Sequence, residues 1–337
     1  MKFAGHHILG ISQFDRGHVD RIFEVADRMR PYARRERKTS VLEGAILGSM
    51  FFEPSTRTRI SFGSAFNLLG GHVRETTGFE STAIAKGESL YDTARVLSGY
   101  SDAIVMRHPT EGSVSEFATA SRVPVINGGD GANEHPSQAL LDLFTIRSEL
   151  AGRGRGIDGL RIAMVGDLRF GRTVHSLSRL LTRFSNVRVS LVSPSELRMP
   201  EALVEEMRER GVDVVETDQL EVGIANVDIV YSTRIQEERF ASQADADLYR
   251  GRFRLNQRTY AAVCEPNTVI MPPLPRGSRE GAQELDEDLN DDPNLAIFRQ
   301  SDNGVLVRMA LFALILDVAD QVDDYSKPVN WSTERRF

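Results

Sequence analysis

The sequence predicts an α/β protein built from two doubly wound parallel-sheet domains, with the active site in the cleft between them. Three observations carry that prediction. Short apolar runs alternate with helix-period patterns in the first half, a glycine-rich break covers residues 151–159, and the same alternation then resumes. A chain of 337 residues also exceeds the usual size of a single core, so two domains are expected.

In chain order, the apolar run 45–52 leads into a helix reaching Leu69, in which Phe62, Ala65, Phe66 and Leu69 recur at i, i+3, i+4 and i+7 before Gly70 and Gly71 end it. The runs 103–107 and 123–127 precede helical patterns over 113–120 and 138–150. Residues 151–159 hold four glycines and two arginines, and the domain boundary is placed just before or within them, giving domains of 1–148 and 149–302. The second half offers strands at 160–165, 187–192, 212–215, 227–231 and 268–271, with helices over 173–184 and from Pro200. Residues 277–292 carry seven acidic side chains and predict a solvated loop or helix face. A final buried helix over about 303–320 is expected to pack back on the first domain, and the polar tail 323–337 is expected to be loose.

Composition narrows the function. A net charge of −7 gives no footprint for nucleic acid, so any anion must be caught by local arginines. The first ten residues lack the pattern of a signal peptide, and the apolar run 309–318 is too short to span a membrane, so a cytoplasmic location is expected. Cys264 is the only cysteine, which excludes an internal disulfide and a cysteine zinc site. No cofactor or metal is called for.

In open α/β sheets ligands bind where strands end and helices begin. After the run 45–52 come Glu53, Pro54, Ser55, Thr56, Arg57, Thr58 and Arg59 at a helix start, where unpaired N–H groups and the helix dipole favour an anion. Capping needs one hydroxyl; three hydroxyls beside two arginines fit a phosphate better. Arg107, with His108 beside it, follows the next strand, and His135 and Gln138 follow the one after. Arg107 can bridge phosphate and carbonyl oxygens, His135 can donate to a carbonyl oxygen, and Gln138 can accept from an attacking amine. In the second half, residues 166–173 nearly spell a nucleotide-binding P-loop, but Arg172 replaces its lysine and no apolar strand ends in an aspartate for magnesium. A helix start bearing Arg172, with Arg234 and Gln236 after a later strand, suits a carboxylate ligand instead.

Taken in order, these residues resemble the aspartate carbamoyltransferase catalytic chain, within the aspartate/ornithine carbamoyltransferase superfamily. Phe51, Phe52, Glu53 and the run 55–59 look like its carbamoyl-phosphate loop; residues 135–138, 166–176, 233–239 and 274–276 look like its later motifs, over about residues 14–314. The serine-threonine-arginine run is shared with ornithine carbamoyltransferases. Lys86, Gly87 and Glu88 instead resemble the aspartate family's mobile loop, which enters a neighbouring subunit's active site. Thr82 stands where the family usually has serine, and Pro272 where it usually has histidine.

The resemblance implies transfer of a carbamoyl group from carbamoyl phosphate to L-aspartate, early in de novo pyrimidine biosynthesis. Ser55, Thr56, Arg57, Thr58 and Arg107 would hold the phosphate, while Thr58, Arg107 and His135 stabilise the oxyanion. Carbonyls of Leu274 and Pro275 would grip the carbamoyl amide. Arg172, Arg234 and Gln236 would bind the aspartate carboxylates, with Lys86 arriving from the adjacent subunit of a homotrimer with shared active sites. Glu53 and Glu238 would tether the arginines once the domains close across the 151–159 linker. A regulatory chain or another pathway enzyme is admitted as a further partner. A P-loop nucleotide hydrolase and a non-catalytic family member are the competing readings.

Overall fold

The computed structural model describes residues 2–78, 87–236, 240, 242, 249, 251–277 and 283–331. The chain divides into two compact units, Met1–Leu141 with Asp302–Phe337, and Asp142–Ser301. Among the described residues, no helix is long and apolar enough to cross a membrane.

The first unit opens with helices α1 (Arg16–Arg28) and α2 (Arg30–Ala33) and the short strand β1 (Arg37–Thr39). Its main sheet holds β2 (Ile46–Phe51), β3 (His72–Thr77), β4 (Ala103–His108) and β5 (Val125–Asp130), all parallel, in the order β3-β2-β4-β5. Three helices alternate with these strands: α3 (Thr56–Leu68), α4 (Leu90–Leu97) and α5 (Ser113–Ala120). The expected stripe of α3 is real, since Phe62, Ala65, Phe66 and Leu69 are all fully buried. Phe62 and Phe66 meet Phe312 of the last helix, Ile297–Ile315, edge to face at 5.9 and 4.9 Å. On β2, β4, β5, α4 and α5, Met50, Ile104, Met106, Val125, Ala94 and Phe117 form a second apolar cluster.

Helix α6 (Pro136–Ala151) carries the chain from one unit into the other, at Leu141/Asp142. The second unit has a parallel sheet of β6 (Arg161–Val165), β7 (Arg188–Val192), β8 (Asp213–Thr217), β9 (Ile229–Ser232) and β10 (Val269–Met271), ordered β10-β9-β6-β7-β8. Helices α7 (Arg172–Leu181), α8 (Glu201–Glu209) and α9 (Leu220–Ile224) join these strands, and a further helix spans Gln257–Val263. In each sheet the strand order reverses beside an inner strand, between β2 and β4 and between β6 and β9. Connections leave in opposite directions there and open a crevice at the strands' carboxyl ends.

Several expectations change. Residues 151–159 lie wholly inside the second unit. Arg155 and Arg161 converge on the buried carboxylate of Asp228, at 2.5 and 2.8 Å, and Arg153 donates to the Asn267 carbonyl, so this stretch is fastened down. Glycine content signalled an irregular path, and the arginines between the glycines fix it. The acidic stretch is also anchored: Leu285 and Leu289 sink into the second unit's core, Glu284 is 8% exposed, and Asp286 accepts from Arg254. Its apolar residues are too sparse to show a period, yet Leu285 and Leu289 both fill the core. The tail expected to be loose begins attached. Asp323 accepts from the Tyr32 hydroxyl at 2.6 Å and from Arg28 at 3.0 Å, and Ser326–Pro328 pairs antiparallel with β1. Pairing depends on backbone groups, which composition does not register.

Candidate active site

In the first unit, the parallel register sets Phe51 beside both Thr77 and Arg107, so the ends of β2, β3 and β4 are level. The loop after β2 therefore begins where β4 delivers Arg107. Ser55 occupies the N-cap position of α3 with extended backbone, φ −159° and ψ 104°, yet its side chain makes no capping hydrogen bond. That answers the alternative in which this hydroxyl merely caps the helix. A concave space of about 250 Å³ opens beside it, lined by Phe52, Glu53, Ser55, Thr56, Arg59 and Thr77 among others. Hydroxyls and a helix start around a space of that size suit a small anion.

Arg107 is held by two residues that line this space. Its Nε donates to Glu53 Oε2 at 2.8 Å, and its Nη1 donates to Ser55 Oγ at 3.5 Å. The side chain is 12% exposed, so the guanidinium is held by its partners rather than waving in solvent. Thr58 is buried, whereas Thr56 and Arg57 are exposed and Arg57 does not line the concave space.

His135 and Gln138 lie where β5 feeds α6. His135 is buried at 3% exposure, and its carbonyl accepts from the Gln138 and Ala139 N–H groups at 3.0 and 3.2 Å. Asp130, which the sequence reading passed over, holds the loop. Its fully buried carboxylate accepts from Asn127 Nδ2 at 2.9 Å, Asn133 Nδ2 at 3.0 Å and the N–H groups of Glu134 and Gly112 at 3.1 and 3.0 Å. A buried charge is tolerated when it is satisfied this fully, and here it braces the approach to His135. His108, next to Arg107, is buried against Phe52, and burial lowers its pKa below the ordinary imidazole value.

In the second unit, Val165 of β6 is level with Ser232 of β9, and Met271 of β10 is level with Tyr231. Residues 166–172, 233–236 and 272–275 therefore leave adjacent strands at one edge. Gly166 has φ +114°, and a Cβ there would lie 2.2 Å from the Thr233 carbonyl oxygen, so only glycine lets the two loops approach. Asp167, fully buried, accepts from the Phe170 N–H at 3.0 Å and from the Gln236 N–H at 3.2 Å. Gln236 Nε2 donates to the Phe170 carbonyl at 2.8 Å, closing a second tie between the loops. Arg172 begins α7, and Arg234 is half-buried with Nη1 donating to the Ile235 carbonyl at 3.2 Å. Burial raises the Glu284 carboxyl, against the pull of Arg234 and Arg276. The second unit thus gathers Arg172, Arg234, Gln236, Leu274 and Pro275 at one sheet edge, with Asp167 as the brace that sequence reading missed. Nothing along the chain marked it, since its role comes from burial beside N–H donors of two separate loops.

Lys86, Thr82 and Glu238 lie outside the described residues. Among the described residues no cluster of histidine, cysteine, aspartate and glutamate is arranged to hold a metal ion. Cys264 is partly buried and burial raises its thiol to about 11, in keeping with a packing role.

Two parallel α/β units, each with cationic and hydrogen-bonding side chains at the carboxyl edge of its sheet, define a class of enzyme that handles two anionic substrates. Comparison with known proteins makes this specific. Residues 6–148 match the family model described as aspartate/ornithine carbamoyltransferase, carbamoyl-P binding domain, and residues 158–315 match the corresponding Asp/Orn binding domain. The chain belongs to the aspartate/ornithine carbamoyltransferase family. It is 72% identical over 337 residues to the aspartate carbamoyltransferase catalytic subunit of Saccharophagus degradans, covering all of both chains. Among solved structures, it is similar to Trypanosoma cruzi aspartate transcarbamoylase in complex with carbamoyl phosphate and aspartate, at TM-score 0.85 and 36% identity, covering 93% of this chain and 98% of that one. It is also similar to the catalytic subunit of the M. jannaschii enzyme, at TM-score 0.83 and 40% identity, covering 96% and 99%. Membership of this family replaces the P-loop hydrolase reading: residues 166–173 spell most of that motif because both folds bend a glycine turn into a helix start.

Proposed function

We propose that the chain transfers the carbamoyl group of carbamoyl phosphate to the amine of L-aspartate, giving N-carbamoyl-L-aspartate and phosphate, an early step of de novo pyrimidine biosynthesis. The observation that carries this reading is the phosphate loop itself. Ser55 starts the helix without a capping hydrogen bond, Ser55, Thr56, Thr77 and Arg59 line a space suited to a small anion, and Arg107 is oriented by Glu53 and Ser55 at its side. The Asp/Orn domain match and the second arginine cluster supply the acceptor.

In the reaction, the aspartate nitrogen attacks the carbonyl carbon, a C–N bond forms, and the carbonyl electrons move onto oxygen. As the tetrahedral intermediate collapses, the C–O bond to phosphorus breaks and phosphate leaves. The proton lost by nitrogen departs with the phosphate. Ser55, Thr56, Arg57, Thr58 and Arg107 grip the phosphate, and Thr58, Arg107 and His135 face the developing oxyanion. Gln138 accepts from the amine, and the carbonyls of Leu274 and Pro275 hold the carbamoyl NH2. Arg172, Arg234 and Gln236 bind the two aspartate carboxylates.

The two substrates are both anions, so the site's task is charge neutralisation and positioning. Orientation of bound reactants supplies several kcal/mol, about 7 to 11 in the best intramolecular cases. The working form in this reading is a cytoplasmic homotrimer in which Lys86 serves the neighbouring subunit's site. A product assay with carbamoyl phosphate and L-aspartate, with ornithine as competing acceptor, tests the reading. Carbamoyl-aspartate as the product supports it; citrulline as the main product, or no turnover, overturns it.

A further inference from the structure

Asp142 lies just past the point where α6 passes into the second unit, and it is fully buried. Its Oδ2 accepts from the Tyr231 hydroxyl at 2.6 Å and its Oδ1 accepts from Gln300 Nε2 at 2.6 Å. Tyr231 is fully buried and Gln300 is 2% exposed. None of the three was drawn into the substrate site, and a buried aspartate is costly unless something uses it.

The surroundings suggest a use. Tyr231 sits on β9, three residues before Arg234, and its hydroxyl also faces Thr173, the residue after Arg172. Tyr231 therefore links β9, which leads to Arg234, with the first turn of α7, which begins at Arg172. Gln300 is on the last helix, next to Ser301, where the chain returns to the first unit. The Asp142 carboxylate thus fastens β9 and the last helix to α6, the helix whose first turn bears Gln138. A short buried hydrogen bond to an ionised acceptor is among the stronger polar ties a fold can make, and it fixes direction as well as distance.

We propose that Asp142 is a positioning residue for the carboxylate-binding loops, holding β9 through Tyr231 so that Arg234 and Gln236 are aimed at the acceptor substrate. The inference rests on the carbamoyl-transfer reading, and it deepens it by adding the side chains that set acceptor affinity without touching the acceptor.

Gln300 gives a second handle. Its Oε1 is buried with no hydrogen-bond partner among the described residues. With asparagine at position 142, turning the Gln300 amide over would let that oxygen accept from the new NH2 group while the asparagine oxygen still accepted from Tyr231. Asp142→Asn is therefore a conservative variant that keeps both ties.

The test uses the full-length enzyme, with parent turnover on carbamoyl phosphate and L-aspartate measured first. Absence of parent turnover counts against the reaction itself, separately from this inference. Tyr231→Phe removes one hydroxyl at nearly constant volume. The expected result is a KM for aspartate raised about tenfold, the loss of one hydrogen bond to a charged group, with little change in kcat. Affinity for carbamoyl phosphate, measured without aspartate by calorimetric titration, should stay at the parent value. Asp142→Asn should stay within about threefold of parent in all three quantities, because its ties are re-formed. If Tyr231→Phe does not accumulate as folded protein, Gln300→Leu carries the same test and should show the same split. An unchanged KM for aspartate, or an equal loss of affinity for both substrates tracking a lowered Tm, overturns the proposal.

Discussion

Glu53 Oε2 accepts the Arg107 Nε–H at 2.8 Å, which turns the guanidinium so that Nη1 reaches Ser55 Oγ at 3.5 Å. The pair joins the loop after β2 to the end of β4 and fixes the direction of the arginine. Arg107→Lys removes the fork and its orientation together, since lysine is a flexible point charge. Turnover should fall by about 100-fold or more, while Glu53→Gln, which still accepts from Nε, should cost less than tenfold. Steady-state kinetics with both substrates check the order; a lysine variant near the parent rate would break the assignment.

Arg57 is exposed, so its removal leaves the core intact. Arg57→Ala should lose nearly all activity and keep the parent Tm within a degree or two, as surface substitutions usually do. Near-normal turnover would remove the loop from the phosphate site.

The shared-site arrangement is checked by mixing two inactive variants. Arg57→Ala and Lys86→Ala chains, unfolded and reassembled together, should form hybrid trimers that regain a fraction of parent activity, because some sites then receive an intact contribution from each chain. No recovery would mean that each site is built within one chain.

Asp228 gives a pH signature. Burial would raise its carboxyl, but hydrogen bonds from Arg155 and Arg161 outweigh that and hold it at about 2. Because the folded value lies below the unfolded one, the stabilisation is fully present above about pH 4 and is lost as pH falls towards 2. Asp228→Asn should therefore lower Tm at neutral pH, and the gap from parent should shrink between about pH 4 and 2. Calorimetry across that range measures it; a constant gap would contradict the ion-pair account.

Gly166 combines φ +114° with the Thr233 carbonyl oxygen 2.2 Å from where a Cβ would stand. Gly166→Ala should destabilise the second unit by more than about 1 kcal/mol and raise KM for aspartate, since Thr233 leads directly to Arg234. Thermal unfolding and aspartate titration read both effects, and a variant with parent values in each would show that the loops can separate without consequence.

Much of the architecture was legible where burial writes a period into the chain. The α3 stripe of Phe62, Ala65, Phe66 and Leu69 and the continuous apolar strands β4 and β6 are buried almost throughout, so their composition reports their surroundings. Strand β3 was missed for the opposite reason. Its sequence, His72–Thr77, is half-buried or exposed at the sheet edge and carries no apolar run. Helix α1 was readable and not read, since Val19, Ile22, Phe23 and Ala26 repeat the same spacing as α3 and are buried.

The sequence by itself determined the fold class and the chemical family, because glycines, hydroxyls and arginines at strand ends are local patterns tied to local backbone needs. Tertiary structure alone decided which acidic side chains are braces. Asp130, Asp142, Asp167 and Asp228 look alike along the chain, and each becomes distinct only when it is buried beside donors from remote segments. A carboxylate's role depends on how its lost hydration is replaced, and its replacement partners lie on other strands and helices.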